Sequence, residues 1–235
     1  MPESSKLLNI LFIPLLAIAT IPVHAQQNAG NNDSLYAISK DSSISRYFAA
    51  LYYTSGLAAD HYAVAQPADA CRFLRKFKDS FAIFFLEANK RYQQKQPQSP
   101  GWQQYYADTS LNTLQYYFLG MNAHINGDMW QALVKAHPYD SIRKYRKPFL
   151  AFQHSLSRLF DTIYAGFTNN KKLKRFHVLT LGTDKYYGKR MMLQWRKRQV
   201  KLALLFYSRP AAFKRRLKKN RRRMQRLDHF IIKRF

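Results

Sequence analysis

A stripe of phenylalanines is the feature that most constrains the fold of this chain. Phe73, Phe77, Phe81, Phe84 and Phe85 recur at intervals of three and four residues, which is the spacing of one face of an α-helix. The chain of 235 residues contains only 8 Gly, whereas a turn-rich β fold needs more of them. Its 47% of hydrophobic residues can form one substantial core. The sequence therefore predicts an all-α fold, a single-domain multi-helix bundle with a basic amphipathic C-terminal helix.

Start and stop signals divide the chain into helices. Ser42 or Ser43 is predicted to cap a helix that runs to about Ala65, and Pro67 suits the first turn of the next helix. The sequence QKQPQSPGW over 94–102 predicts a loop. Further helices are expected from Asp108 or Thr109 onward, over 140–166 with a kink or restart at Pro148, over 173–181, over 186–207, and from Pro210 onward.

The N-terminus has the pattern of a secretory signal peptide. An apolar run over 7–23 ends in the sequence VHA, which has the small-x-small form of a cleavage site. We therefore interpret residues 1–25 as a signal peptide, with a retained signal anchor as the alternative. The protein is then expected in the periplasm or cell envelope of a Gram-negative bacterium, with no transmembrane span in the mature chain. Residues 26–41 are polar and predict a flexible leader before an all-helical domain over 42–208.

Positive charge is concentrated near the C-terminus. Residues 171–235 hold 23 Lys and Arg against two Asp, in a chain of net charge +26. The segment 209–235 is predicted to form a basic amphipathic helical tail, with Phe213, Leu217 and Met224 as a face that inserts into lipid. An anionic membrane surface or another polyanion is the expected partner, unless the apolar face packs on the domain and the charges are solvated. Nucleic acid is disfavoured because an exported protein would not meet it. The cations expected to make the contact are Lys214, Arg215, Arg216, Lys218, Lys219, Arg221, Arg222, Arg223 and Arg226.

The sequence FLGMNAHINGD over 118–128 places four polar residues close together, Asn122, His124, Asn126 and Asp128. In an unbroken helix, His124 and Asp128 are separated by four residues and share a face. Asn122 and Asn126 would then lie on the other side and brace a neighbouring helix. The four residues would form either a ligand site or a structural network.

The alternative is that the helix stops at Asn126–Gly127, because Gly tolerates the left-handed conformation that ends a helix. Asp128 and Gln131 would then form a capping pair that opens a short helix from Met129 to about His137. In that arrangement the motif needs no chemistry.

The sequence LGMNAHINGD over 119–128 resembles the signature of an uncharacterised bacterial all-helical family, a domain of unknown function. In that family an Asn-Ala-His-Ile-Asn-x-Asp core follows a long helix. YFAALYYTSGL over 47–57 and RMMLQWRKRQVKLAL over 190–204 are similar as well, so the resemblance covers about 45–205. It implies an all-helical fold and a candidate site but no reaction, and the basic segment after 209 departs from the family pattern.

A neutral imidazole and a carboxylate at the spacing of His124 and Asp128 can bind a divalent metal, or act as a base with its orienting carboxylate. These two residues are therefore the candidate catalytic residues. A metal would need further ligands, and with Cys71 as the single cysteine these must be oxygen or imidazole. The best candidates for such ligands are Asp60 and His61, followed by His154 and Asp161.

Two functions follow from these features. The first is a non-catalytic envelope protein whose cationic surface binds anionic lipid or glycan. The alternative is a metal-dependent hydrolase or a small-ligand-binding protein centred on His124 and Asp128.

Overall fold

The computed structural model describes residues 29–153, 155–156 and 184–235. All regular structure in these residues is helical and none of it is a β-strand, which confirms the predicted all-α single-domain fold. The predicted signal peptide over 1–25 and the predicted helix over 173–181 lie outside the described residues. Within the described part, no helix combines the length and the apolar character that crossing a membrane requires.

Helix α1 covers Ala29–Lys40, where the sequence predicts a flexible leader. Leu35 is only 2% exposed, and Ile38 packs against the core. Asn32 Nδ2 also donates a hydrogen bond to Asp60 Oδ2 at 3.2 Å. The structure corrects the prediction of a flexible leader for these residues, because two apolar side chains three residues apart attach an otherwise polar helix to the bundle.

Helices α2 and α3 form the centre of the core. Helix α2 covers Ser45–Val64 and α3 covers Ala68–Gln93, close to the predicted bounds. Pro67 precedes the first residue of α3 and acts as its N-cap position. Most of the phenylalanine stripe is buried as predicted, with Phe84 only partly buried; the buried members are Phe73, Phe77, Phe81 and Phe85.

Helix α3 ends at a residue in the left-handed conformation. Lys95 has a φ of 54°, its N–H donates to Tyr92 O at 3.0 Å, and the N–H of Gln96 donates to Arg91 O at 2.8 Å. These two bonds form a Schellman motif, in which glycine usually occupies the left-handed position. The motif turns the chain into the predicted loop.

A short helix, α4 (Gln103–Ala107), follows this loop and was not predicted. Trp102 and Tyr105 at its start are almost fully buried. Tyr105 Oη donates to Ile44 O at 2.8 Å, which ties α4 to the start of α2. The loop and α4 therefore deliver aromatic side chains to the centre of the bundle.

Helix α5 covers Thr113–Met121 and starts later than the predicted Asp108 or Thr109. Asn112 and Gln115 form a capping box. The N–H of Gln115 donates to Asn112 Oδ1 at 3.1 Å, and the N–H of Asn112 donates to Gln115 Oε1 at 2.9 Å. Asp108 instead accepts a hydrogen bond from Ser110 N at 2.8 Å and closes a turn. The competing side-chain bond of Asp108 explains the shifted start.

Helices α6 (Met129–Ala136) and α7 (Tyr139–Lys144) are separated at His137-Pro138, because the residue before Pro avoids the helical region. The chain breaks at Tyr145 and is helical again over 146–153, with Pro148 in the first turn. The predicted restart is therefore present, and the part of the predicted helix beyond 156 lies outside the described residues.

The last two described helices are α8 (Asp184–Ser208) and α9 (Pro210–Arg234). Helix α9 begins at Pro210 as predicted and packs against α5, α8 and the segment between α5 and α6. Met224 and Ile231 are buried in these contacts. The basic segment is thus a helix of the bundle rather than an appended tail, and the prediction of a lipid-inserting face is wrong for Met224.

Candidate functional site

Asn122–Asp128, between α5 and α6, form a π-helix that we call the π segment. The backbone continues through it from α5 to α6, so the predicted helix stop at Gly127 is wrong. Gly127 does not have a positive φ, and a Cβ added to it would lie 3.6 Å from Gly101 Cα. A Cβ would therefore make only an ordinary van der Waals contact at this position. Single π turns inside α-helices frequently occur at functional sites.

Asp128 receives hydrogen bonds from two side chains. His124 Nδ1 lies 3.1 Å from Asp128 Oδ2, and Trp102 Nε1 donates to the same oxygen at 2.9 Å. His124, Asp128 and Trp102 are 2%, 3% and 1% exposed. The predicted His–Asp pair is therefore formed, and the predicted capping pair with Gln131 is not, because Asp128 makes no cap hydrogen bond.

Aromatic rings enclose the imidazole of His124. Phe81 stacks on it with 3.5 Å between ring centroids, and Tyr52 and Phe48 meet it edge-on at 4.4 and 5.4 Å. Phe48 fits because Gly120 has no side chain, since a Cβ there would lie 2.6 Å from Phe48 Cγ. These contacts hold the imidazole in one orientation.

Burial sets the protonation of the pair. It lowers the pKa of His124, so the imidazole is neutral near pH 7. Burial also raises the pKa of Asp128, and the hydrogen bonds from His124 and Trp102 oppose that shift. The indole N–H of Trp102 can only donate, so Asp128 Oδ2 accepts from it. When Asp128 is a carboxylate, the same oxygen also accepts from His124 Nδ1. His124 then carries its proton on Nδ1 and keeps a lone pair on Nε2.

His124 borders a cavity of about 120 Å³ whose walls come from α2, α3, the π segment and α8, together with Phe149, Phe152 and Leu156. Its lining is mainly aromatic and aliphatic. Four buried polar atoms of lining residues have no hydrogen-bond partner among the described residues: His124 Nε2, Tyr52 Oη, Arg75 Nε and Arg196 Nε. Leaving a buried polar group unpaired costs about 1–3 kcal/mol. Within the described part of the chain, His124 Nε2 and Tyr52 Oη are therefore available to a bound molecule.

The asparagines of the π segment face α9. Asn122 Nδ2 donates to Asp228 Oδ1 at 2.7 Å and to Met224 O at 3.0 Å. Asn126 Nδ2 donates to Asn122 Oδ1 at 2.8 Å, and Asn220 Nδ2 donates to Asn126 O at 2.6 Å. These bonds join the π segment to α9, which is the arrangement expected for the asparagines in an unbroken helix.

The expected additional metal ligands do not join the His–Asp pair. Lys78 Nζ donates to both carboxylate oxygens of Asp60 at 2.6 Å. His61 is exposed. His154 and Asp161 lie outside the described residues. Across 29–153, 155–156 and 184–235, no three His, Cys, Asp or Glu are arranged to hold a metal. The described residues thus offer a possible divalent metal only two ligands at this point.

The predicted cations of α9 remain at the surface. All nine are exposed or half-buried, and none forms an ion pair with a carboxylate in the described part of the chain. Phe213, expected on a lipid-inserting face, instead contacts the ring of Trp130 at 5.0 Å. The positive surface therefore exists, but most of the apolar stripe beneath it faces the bundle.

Sequence reasoning missed two residues of the site, Trp102 and Arg196. Trp102 follows a loop, and nothing local indicates that it reaches Asp128. Arg196 is buried although charged residues flank it. A signal was present, because Arg196 lies four residues after Met192 and four before Val200, on the apolar face of α8.

Fold and site together define an all-helical protein with a buried His–Asp pair on a π-helix beside an apolar cavity. The chain belongs to the family described as "Family of unknown function (DUF5995)", which it matches over residues 32–233. This confirms the predicted membership in a helical family of unknown function. The match extends beyond 45–205 and includes most of α9. No curated protein and no solved structure matches the chain.

Proposed function

We propose that this protein binds a small, mainly apolar organic molecule in the cavity beside His124. The observation that carries the proposal is the buried Nε2 of His124, which has no partner among the described residues. Binding pockets for small molecules are typically apolar, with a few polar groups that orient the ligand. The volume of about 120 Å³ is close to that of a cavity of roughly 150 Å³ that holds benzene. A molecule of about that size would therefore fit.

The protonation of the pair defines what His124 offers to a ligand. Asp128 holds the proton on Nδ1, so Nε2 accepts a hydrogen bond from a ligand hydroxyl or N–H. A neutral imidazole oriented by a carboxylate is also the arrangement of a general base. The site would thus suit a protein that only binds its ligand, or a hydrolase in which the imidazole of His124 acts as the base.

Titration with phenol and toluene tests this proposal. The two molecules have similar volume, but only phenol can donate to Nε2. We expect phenol to bind about tenfold more tightly, as one added hydrogen bond provides about 1.4 kcal/mol. Phenol should also shift the ¹⁵N resonance of His124 Nε2, whereas toluene should not.

His124→Phe keeps an aromatic ring and removes the acceptor, so this variant should bind phenol and toluene equally. Circular dichroism checks that it folds; if it does not, the ¹⁵N shift in the unaltered protein decides. Absence of binding by both compounds, or equal binding of both to the unaltered protein, would contradict the proposal.

The cationic surface of α9 supports a second proposal, that the protein is exported and contacts an anionic membrane or glycan of the cell envelope. The exposed cations lack carboxylate partners in the described part of the chain. Since most of the apolar stripe of α9 faces the bundle, the contact would be electrostatic and would weaken with salt.

Charge removal tests this second proposal better than truncation, because deleting α9 would expose the core. Lys218→Gln/Arg222→Gln removes two exposed cations from α9, and Lys76→Gln/Lys90→Gln removes two exposed cations from α3 as a matched control. Sedimentation with phosphatidylglycerol vesicles should show weaker binding for the α9 variant alone. Equal binding by both variants would rule out a specific role for α9.

A further inference from the structure

Arg196 is a buried cation with no carboxylate partner among the described residues. Its side chain is 3% exposed and lines the same cavity as His124. Nη2 donates to Phe149 O at 3.1 Å, and Nε has no hydrogen-bond partner in the part of the chain that the structure describes. Burial lowers the pKa of Arg196 to about 10, so the guanidinium remains charged near pH 7. A buried charge is normally paired, because its desolvation is costly.

Two other cations line the cavity, Lys78 and the half-buried Arg75, and each has a carboxylate nearby, Asp60 and Asp79 respectively. Lys78 contacts both oxygens of Asp60 at 2.6 Å. Arg196 instead lies over the rings of Phe149 and Phe152, at 4.5 and 5.3 Å from their centroids. Cation–π contacts stabilise a guanidinium but leave its charge uncompensated.

We infer that the ligand of this cavity is a small organic acid whose carboxylate is held by Arg196. This inference rests on the proposed function and specifies its ligand class. A guanidinium presents planar donors that match a carboxylate, and the aromatic wall that includes Phe77 and Phe81 contacts the apolar body of the acid. Because His124 Nε2 is an acceptor, it contacts a hydroxyl or N–H on a different part of the ligand.

The cavity volume guides the choice of probe. It is about 120 Å³, slightly below the roughly 150 Å³ of a cavity that holds benzene, so it encloses an apolar chain of about five carbons. Hexanoate and 1-hexanol are therefore suitable probes. Both have six carbons, and they differ in the polar group at one end, which is a charged carboxylate in hexanoate and a neutral hydroxyl in 1-hexanol.

Isothermal titration of the purified full chain with these probes tests the inference. We expect hexanoate to bind at least about tenfold more tightly than 1-hexanol, as hydrogen bonds to a charged group are the stronger ones. Arg196→Met keeps the packing volume and removes the charge, so it should reduce this preference to within about twofold. Arg198→Met, on the same helix with its Nε bonded to Gln194 O, is the matched control and should keep the preference.

The outcomes separate this inference from the proposal on which it rests. Binding of 1-hexanol as tight as that of hexanoate would overturn the organic acid while leaving a small-molecule site. A preference that persists in Arg196→Met would also overturn the role of Arg196. If that variant does not fold, Arg196→Gln, which keeps donors but no charge, takes its place. Absence of binding by both probes would overturn the inference together with the proposed function.

Discussion

Replacing Asp228 with asparagine should change how the stability of the fold depends on pH. Asp228 lies on α9, is 4% exposed, and accepts a hydrogen bond from Asn122 Nδ2 at 2.7 Å. Burial raises the pKa of Asp228 to about 6, against the opposing effect of the Asn122 bond. An aspartate in the unfolded chain has a pKa of about 3.9. Between these two values, the folded protein keeps a proton that the unfolded chain releases.

The sign and size of the effect follow from this difference. Because the folded pKa is raised, the stability contributed by the protonated carboxyl is fully present below about pH 4 and is lost as the pH rises through about 6. A difference of about two pKa units, at about 1.4 kcal/mol per unit, corresponds to about 3 kcal/mol. Asparagine has nearly the same shape and does not ionise, so Asp228→Asn should escape this loss.

Urea unfolding of both proteins between about pH 4 and pH 8 measures the effect. The free energy of unfolding of Asp228→Asn, relative to the unaltered protein, should increase by about 3 kcal/mol over this range. A constant difference across the range would refute the reasoning. The ¹³C resonance of the carboxyl gives the pKa of Asp228 directly, and a midpoint near 4 would refute it independently.

Three further predictions concern packing and helix ends. Gly120→Ala should lower the free energy of unfolding by about 1–3 kcal/mol, because the new Cβ would meet the enclosed ring of Phe48. Gly56→Ala, where a Cβ makes only an ordinary contact, is the matched control and should raise stability by up to about 1 kcal/mol in urea unfolding. Lys95→Gly should raise the melting temperature, since relieving the φ of 54° gains about 1 kcal/mol; calorimetry showing a decrease would contradict this. Asn112→Ala should cost about 1 kcal/mol by loss of the capping box, and an unchanged denaturation midpoint would argue against that role.

Sequence reasoning predicted the elements that depend on local patterns. The phenylalanine stripe placed α3, and Pro67 and Pro210 marked the starts of α3 and α9. The i, i+4 relation of His124 and Asp128 is local as well, so their contact was among the predicted arrangements. Local patterns succeed here because helix periodicity and proline geometry act within a few residues.

Prediction from local sequence patterns failed where two patterns in the same residues favoured different structures. The Asn126–Gly127 pair favours a helix stop, whereas the structure continues the helix as a π turn. The π segment is tied to distant residues by hydrogen bonds from Trp102 to Asp128 and from Asn122 to Asp228, and no local pattern contains these contacts. Helix α1 is a similar case. Its polar composition predicts a flexible segment, whereas in the structure Leu35 is buried against the bundle.

The sequence by itself thus determined the helical class, the positions of most helices and the residues of the candidate pair. Tertiary structure alone decided what surrounds that pair. Trp102 reaches Asp128 across 26 residues and Asn122 reaches Asp228 across 106, while Arg196 is brought to the same cavity from α8. The physical reason is that the environment of a side chain, its burial and its partners, depends on which distant helices pack together. Those contacts set the protonation of His124 and leave its Nε2 beside the cavity.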